Sequence, residues 1–159
     1  MNVVRWYVTK SSDDINELDT LQLISTHYVM ANQVGYHGNL FGGTMLAWLD
    51  EAGAAFACQV ADTGRMVTKH ISAVTFERPV RPGQLIKIFG RVIKIGKTSL
   101  TIELVARRIS IYNGTQKSVC KCNMVFVRID GDGEAVPIPP HVHLKTSLDD
   151  RSEKLRKKD

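Results

Sequence analysis

The spacing of apolar residues changes once along the chain, and that single switch restricts the fold more than any other feature. From Thr44 to about Ala61, "TMLAWLDEAGAAFACQVA", apolar and small residues recur at helical spacing. Gly42-Gly43 marks a break ahead of them, with Gly43 or Thr44 as the expected N-cap, and the pattern stops near Asp62-Thr63-Gly64. Beyond that point the period falls to two. Four long strand candidates follow: "RMVTKHISAVTFERPV", "QLIKIFGRVIKI", "TSLTIELVARRIS" and "KSVCKCNMVFVRI". Arg81-Pro82-Gly83, Gly96-Lys97 and Asn113-Gly114 separate them, and Asn-Gly is the strongest short hairpin signal of the three. Upstream, "TLQLISTHYVMA" from Thr20 to Ala31 is β-branched and aromatic enough to be a first strand.

One strand, one helix and four strands leave few ways to bury apolar surface. In "SLTIELVA" the residues Leu100, Ile102, Leu104 and Ala106 share one face while Thr101 and Glu103 take the other, the mark of an antiparallel sheet covered on one side. The helix is the only available cover. The expected fold is therefore α+β: a single hotdog domain in which a curved antiparallel sheet of five strands wraps around one long central helix. Such a sheet keeps an open edge, which favours dimerisation.

A chain of 159 residues suffices for one such domain, burying roughly 70% of its unfolded surface. The domain is expected over residues 1–143, with a polar segment at 1–20 and a charged, disordered tail at 144–159; "IPPH" at 138–141 reads as the end of the ordered part. No apolar run approaches the roughly 20 residues that span a bilayer, and "MNVVRWYVTK" lacks a signal-peptide layout, so no membrane role and a cytoplasmic address are expected. The formal charge of +5 invites a polyanion, yet the last ten residues alone hold five basic and three acidic side chains. No aromatic-interleaved basic stripe supports nucleic acid, and a small phosphate-bearing ligand fits as well. Cys58, Cys120 and Cys122 are odd in number, with Cys120 and Cys122 on one strand face, and are read as reduced packing residues. "HVH" at 141–143 is not read as a metal site, and no metal or separate cofactor is expected.

Inside the helix stand two acids, Asp50 and Glu51, among Ala47, Ala52, Gly53, Ala54, Ala55 and Ala57. Glu51 is rotated about 100° from Asp50, so the two need not share an environment. A carboxylate against a close-packed apolar face costs several kcal/mol unless bonded or paired, on the order given for buried charges. On pattern alone, solvation or a salt bridge explains both acids as well as chemistry does.

"AN" at 31–32, "GNLFGGTMLAWLDEAG", "VTKHISAVTFERPVRPGQLI" and "IGKTSLTIELVARR", in this order over roughly residues 22–140, resemble the hotdog acyl-CoA thioesterases, the YciA-like bacterial enzymes and the cytosolic brain-type acyl-CoA hydrolases. The resemblance implies hydrolysis of an acyl-CoA to a carboxylic acid and coenzyme A, by a homodimer assembled into a hexamer as a trimer of dimers. It implies that Asp50 is the general base or nucleophile and that Asn32 works with it across a subunit boundary. Backbone N–H groups at the helix start, around Gly42, Gly43 and Thr44, suit the thioester oxyanion, Gly43 foremost. The same glycines are also explained by a tight turn needing positive φ. For the phosphates of coenzyme A the candidates are Lys97, Thr98 and Ser99 of "GKTS", then Arg78 and Arg81. Two other readings stand beside this one: a hotdog dehydratase using His37, 13 residues before Asp50, and a non-catalytic acyl-CoA sensor. Acyl-chain preference is not legible.

Overall fold

The computed structural model describes residues 21–143; the expectations for the 1–20 segment and the 144–159 tail lie outside them. Six strands and one long helix make up the fold: β1 (Gln22–Tyr28), α1 (Gly42–Val60), β2 (Met66–Ile71), β3 (Thr75–Phe76), β4 (Leu85–Ile95), β5 (Ser99–Ile109) and β6 (Gln116–Arg128). A 3-10 turn, Ala31–Gln33, precedes the helix. All strands join one antiparallel sheet in the order β1-β4-β5-β6-β2, with β3 also paired to β6. The helix touches β1, β2, β4, β5 and β6, so the sheet curves around it and the expected hotdog arrangement is present.

Alternation on β5 explains how the helix is covered. Leu100, Ile102, Leu104 and Ala106 are completely buried, as are Ile86 and Ile88 on β4 and Phe126 on β6. Cys120 and Cys122 are buried together on one face, and burial pushes the Cys120 thiol up to about 12 and the Cys122 thiol up to about 11, which keeps both protonated at neutral pH. Gly53 marks the closest approach of helix and sheet: a Cβ there would lie 2.8 Å from the Phe126 ring and 2.9 Å from Leu104. On the far face of β5, Glu103 is buried too, held by Arg91 at 2.6 Å and Lys121 at 2.9 Å. That face is charged but not open.

Two expectations need correction. The strand expected from Arg65 to Val80 is two strands, making six in the sheet rather than five. The break falls at Ser72, whose Oγ accepts the Asn123 N–H at 2.9 Å in place of a backbone carbonyl. Second, the N-cap is Phe41, not Gly43 or Thr44, and no side chain caps the helix. At the end of the described part, residues 140–143 form a helical turn, Val142 is buried, and His141 Nε2 meets Asp62 Oδ2 at 2.9 Å.

Candidate active site

Asp50 and Glu51 point to opposite edges of the sheet. The Thr68 hydroxyl, on the β2 edge, donates to Asp50 Oδ1 at 2.6 Å. Asp50 is half-buried, and among the described residues no cation pairs with it and Oδ2 receives no hydrogen bond. A carboxylate fixed by one oxygen, with the other open, is arranged to hold a water or meet an electrophile. Glu51 is exposed and faces the β1 edge, where the His27 ring stacks on Trp48 with centroids 4.4 Å apart. Burial lowers the His27 pKa, and the Glu51 carboxylate opposes that shift without cancelling it. His27 Nε2 also shares a hydrogen bond with Ser25 Oγ at 3.0 Å.

At the helix start, neither Gly42 nor Gly43 has positive φ, so the tight-turn explanation of the pair fails. Close approach replaces it. A Cβ on Gly43 would lie 2.6 Å from the Phe41 ring, and one on Gly42 would lie 3.3 Å from Phe76. Thr44 N–H turns back to the Phe41 carbonyl at 3.0 Å, while the Gly42 and Gly43 N–H groups have no acceptor among the described residues. With no acid in the first turn, the positive end of the helix is uncompensated. Leu40, Gly42, Met45, Phe76, Arg78 and Pro79 contribute to a cleft of about 350 Å³ there.

Asn32 belongs to the same end as these amides. Its 3-10 turn is closed by the Gln33 side chain, which accepts the Met30 N–H at 2.9 Å, and the Gln33 carbonyl accepts the Phe41 N–H at 3.0 Å. Asn32 is exposed, with no side-chain hydrogen bond among the described residues. Asp50 lies seven residues along the helix from Gly43, about 10 Å of rise. One carbonyl group cannot touch both directly within a single chain. His37 stands on the loop before the helix, exposed and edge-on to Tyr36 at 5.4 Å.

The phosphate candidates also divide. Arg78 donates to the Ser118 carbonyl at 2.6 Å and pairs with Glu77 at 3.2 Å, beside the helix N-terminus. Arg81 is exposed just before β4, with its backbone N–H bonded to Gln84 Oε1. Lys97, Thr98 and Ser99 form the β4–β5 turn at the other end, where the Lys97 and Thr98 carbonyls accept from Ile138 and Arg128. Strand β4, about 33 Å long, separates the groups. In one chain they cannot serve one phosphate.

A family model for the thioesterase superfamily matches residues 37–114. The acyl-CoA thioester hydrolase YciA of Salmonella typhimurium is 30% identical over 121 residues, covering 74% of this chain and 90% of that protein. The chain belongs to the thioesterase superfamily. Solved structures agree with this membership. A hexameric broad specificity acyl-coenzyme A thioesterase, in an Asp-to-Ala mutant form, has a TM-score of 0.75 at 25% identity, covering 83% of this chain and 98% of its own. A hexameric hotdog fold thioesterase of Campylobacter jejuni has a TM-score of 0.71 at 26% identity, covering 79% and 96%.

Within this superfamily member, three residues escaped sequence reasoning as parts of the site. Thr68 looked like an ordinary strand residue; regular pairing of Met66 to Arg128 and Thr68 to Phe126 puts it on the buried, helix-facing side of the edge strand. Phe41 and Phe76 are large, exposed rings that the sequence carried only inside the blocks "GNLFGG" and "TFERPV", with no role of their own.

Proposed function

We propose that this chain is an acyl-CoA thioesterase, hydrolysing the thioester to a free carboxylic acid and coenzyme A. The observation that carries the reading is Asp50: half-buried, unpaired by any cation among the described residues, and oriented by Thr68 through one oxygen only. Its Oδ2 takes a proton from water as the water oxygen bonds to the thioester carbon. The oxyanion is stabilised by the Gly43 N–H at the positive end of the helix. When the carbon–sulfur bond breaks, the coenzyme A sulfur leaves with the proton that Asp50 had accepted. Direct attack by Asp50, giving a mixed anhydride that water then hydrolyses, uses the same groups.

The site is completed by a second chain. Asn32 and Gly43 share one end of the helix and Asp50 stands about 10 Å along it, so a two-fold partner with an antiparallel helix brings Asp50 of one chain to the other end's donors. Asn32 of the partner subunit then orients the water or the carbonyl. The same symmetry brings Lys97, Thr98 and Ser99 of one chain toward the Arg78 and Arg81 end of the other. Both solved relatives are named as hexamers, which supports a dimer assembled further as a trimer of dimers. Coenzyme A enters as part of the substrate, with no separate cofactor.

Free thiol released from a panel of acyl-CoA esters, acetyl to palmitoyl, tests the activity. Turnover on at least one chain length is expected. Tight binding without turnover on any of them would leave an acyl-CoA sensor, and dehydration of a 3-hydroxyacyl-CoA that depends on His37 would favour the dehydratase.

A further inference from the structure

A second cleft, of about 330 Å³, lies beyond the helix N-terminus at the hairpin end of β5 and β6, lined among others by Gln84, Arg108, Ser110, Ile111, Tyr112 and Lys117. Arg108 and Lys117 are direct cross-strand partners, so their side chains leave the same face of the sheet about 5 Å apart at Cβ. That face carries the helix, because Arg108 also pairs with the fully buried Ile86. Like charges directly opposite each other destabilise a sheet unless something neutralises them. Among the described residues no carboxylate does: Lys117 has no ion pair, and Arg108 has only a 3.4 Å contact to the Pro79 carbonyl. The cleft's lining contains no acid. Beside the two cations stand the Ser110 hydroxyl and two large exposed side chains, Tyr112 at 93% and Ile111 at 52% exposure.

We propose that this cleft binds a phosphorylated nucleotide, with phosphate on Arg108 and Lys117 and the base stacked against Tyr112. One guanidinium and one ammonium on a strand-paired site match the charge and oxygen array of a phosphate group, and an aromatic face suits any nucleobase. Pro79 links the two clefts: it lines the one at the helix N-terminus, and its carbonyl contacts Arg108. The nucleotide is therefore either the phosphorylated adenosine end of the acyl-CoA, an assignment that rests on the thioesterase reading, or a free nucleotide. None of Arg108, Ser110, Tyr112 and Lys117 was marked by the sequence.

Calorimetric titration of the intact protein with adenosine 3′,5′-bisphosphate at low salt tests the site without reference to hydrolysis. Saturable binding is expected, weakened at least about tenfold by Lys117→Glu, which removes no side-chain bond among the described residues, and less by Tyr112→Ala. Thermal melting of both variants checks that they fold. The ratio of KM for an acyl-CoA to KM for the matching acyl-pantetheine then distinguishes the sources. A rise in that ratio in Lys117→Glu assigns the cleft to the substrate's nucleotide end; an unchanged ratio with lost bisphosphate binding assigns it to a free nucleotide. Either result supports the site. No saturable binding to the wild-type protein, or equal binding to a folded Lys117→Glu protein, would overturn it, as would loss in Lys97→Glu alone.

Discussion

The two edges of the sheet treat neighbouring acids on one helix in opposite ways. At the β2 edge, Asp50 is gripped at 2.6 Å by a hydroxyl and left with an open oxygen. At the β1 edge, Glu51 stays in solvent and acts only as a charge near His27, whose ring is packed on Trp48. A rotation of about 100° along the helix is enough to send the two carboxylates to different strands. In the proposed mechanism, an acid's role therefore follows from where the sheet's edges fall around the helix, rather than from its presence alone.

The largest effect should come from removing that difference in charge. Asp50→Asn should lower turnover by roughly 10²–10⁴-fold, the usual contribution of a positioned acid or base, measured by thiol release. Glu51→Gln should stay within about threefold, because a solvated carboxylate contributes little beyond weak charge effects. Equal losses in the two would erase the distinction between the edges. Next in size is the grip itself: Thr68→Val should reduce kcat by roughly tenfold, in line with one lost hydrogen bond to a charged group, and Thr68→Ser should restore most of it. A loss confined to KM would place Thr68 in substrate binding instead.

The smallest expected effect concerns the β1 edge and reads stability rather than rate. Folded His27 takes its proton below the ordinary value of 6.5, so acid favours the unfolded chain. Stability from this residue is fully present above that value and is lost as pH falls from 6.5 toward the lowered folded pKa. The decline in Tm between about pH 7.5 and 5.5 should accordingly be shallower in His27→Gln than in the wild-type protein. An identical pH slope would detach His27 from the acid sensitivity of that edge.

Much of the fold was legible because the core follows simple periodicities. The helix expected from Thr44 begins two residues earlier, and the face of Leu100, Ile102, Leu104 and Ala106 is buried as alternation requires. Side-chain substitution for backbone in the ladder has no periodic signal, so Ser72 and the split between β2 and β3 were not legible. The candidate site divides in the same manner. Asp50 stood out as an acid on a crowded helix, whereas Thr68 acquires its place from the curvature that brings the β2 edge against the helix. Arg108 and Lys117 sit nine residues apart in sequence and become neighbours only through the β5–β6 hairpin.

Mixing two inactive variants tests most directly the claim that Asp50 works with Asn32 of the partner subunit. Asn32→Ala and Asp50→Ala proteins are unfolded, combined in equal amounts and refolded, with different tags to isolate the mixed dimers. Random exchange makes about half the dimers mixed, each with one intact site, so activity of the mixture should return to about a quarter of the wild-type value, and that of the purified mixed dimers to about half. Purified mixed dimers that remain as inactive as their parents would contradict a site shared across the two-fold axis.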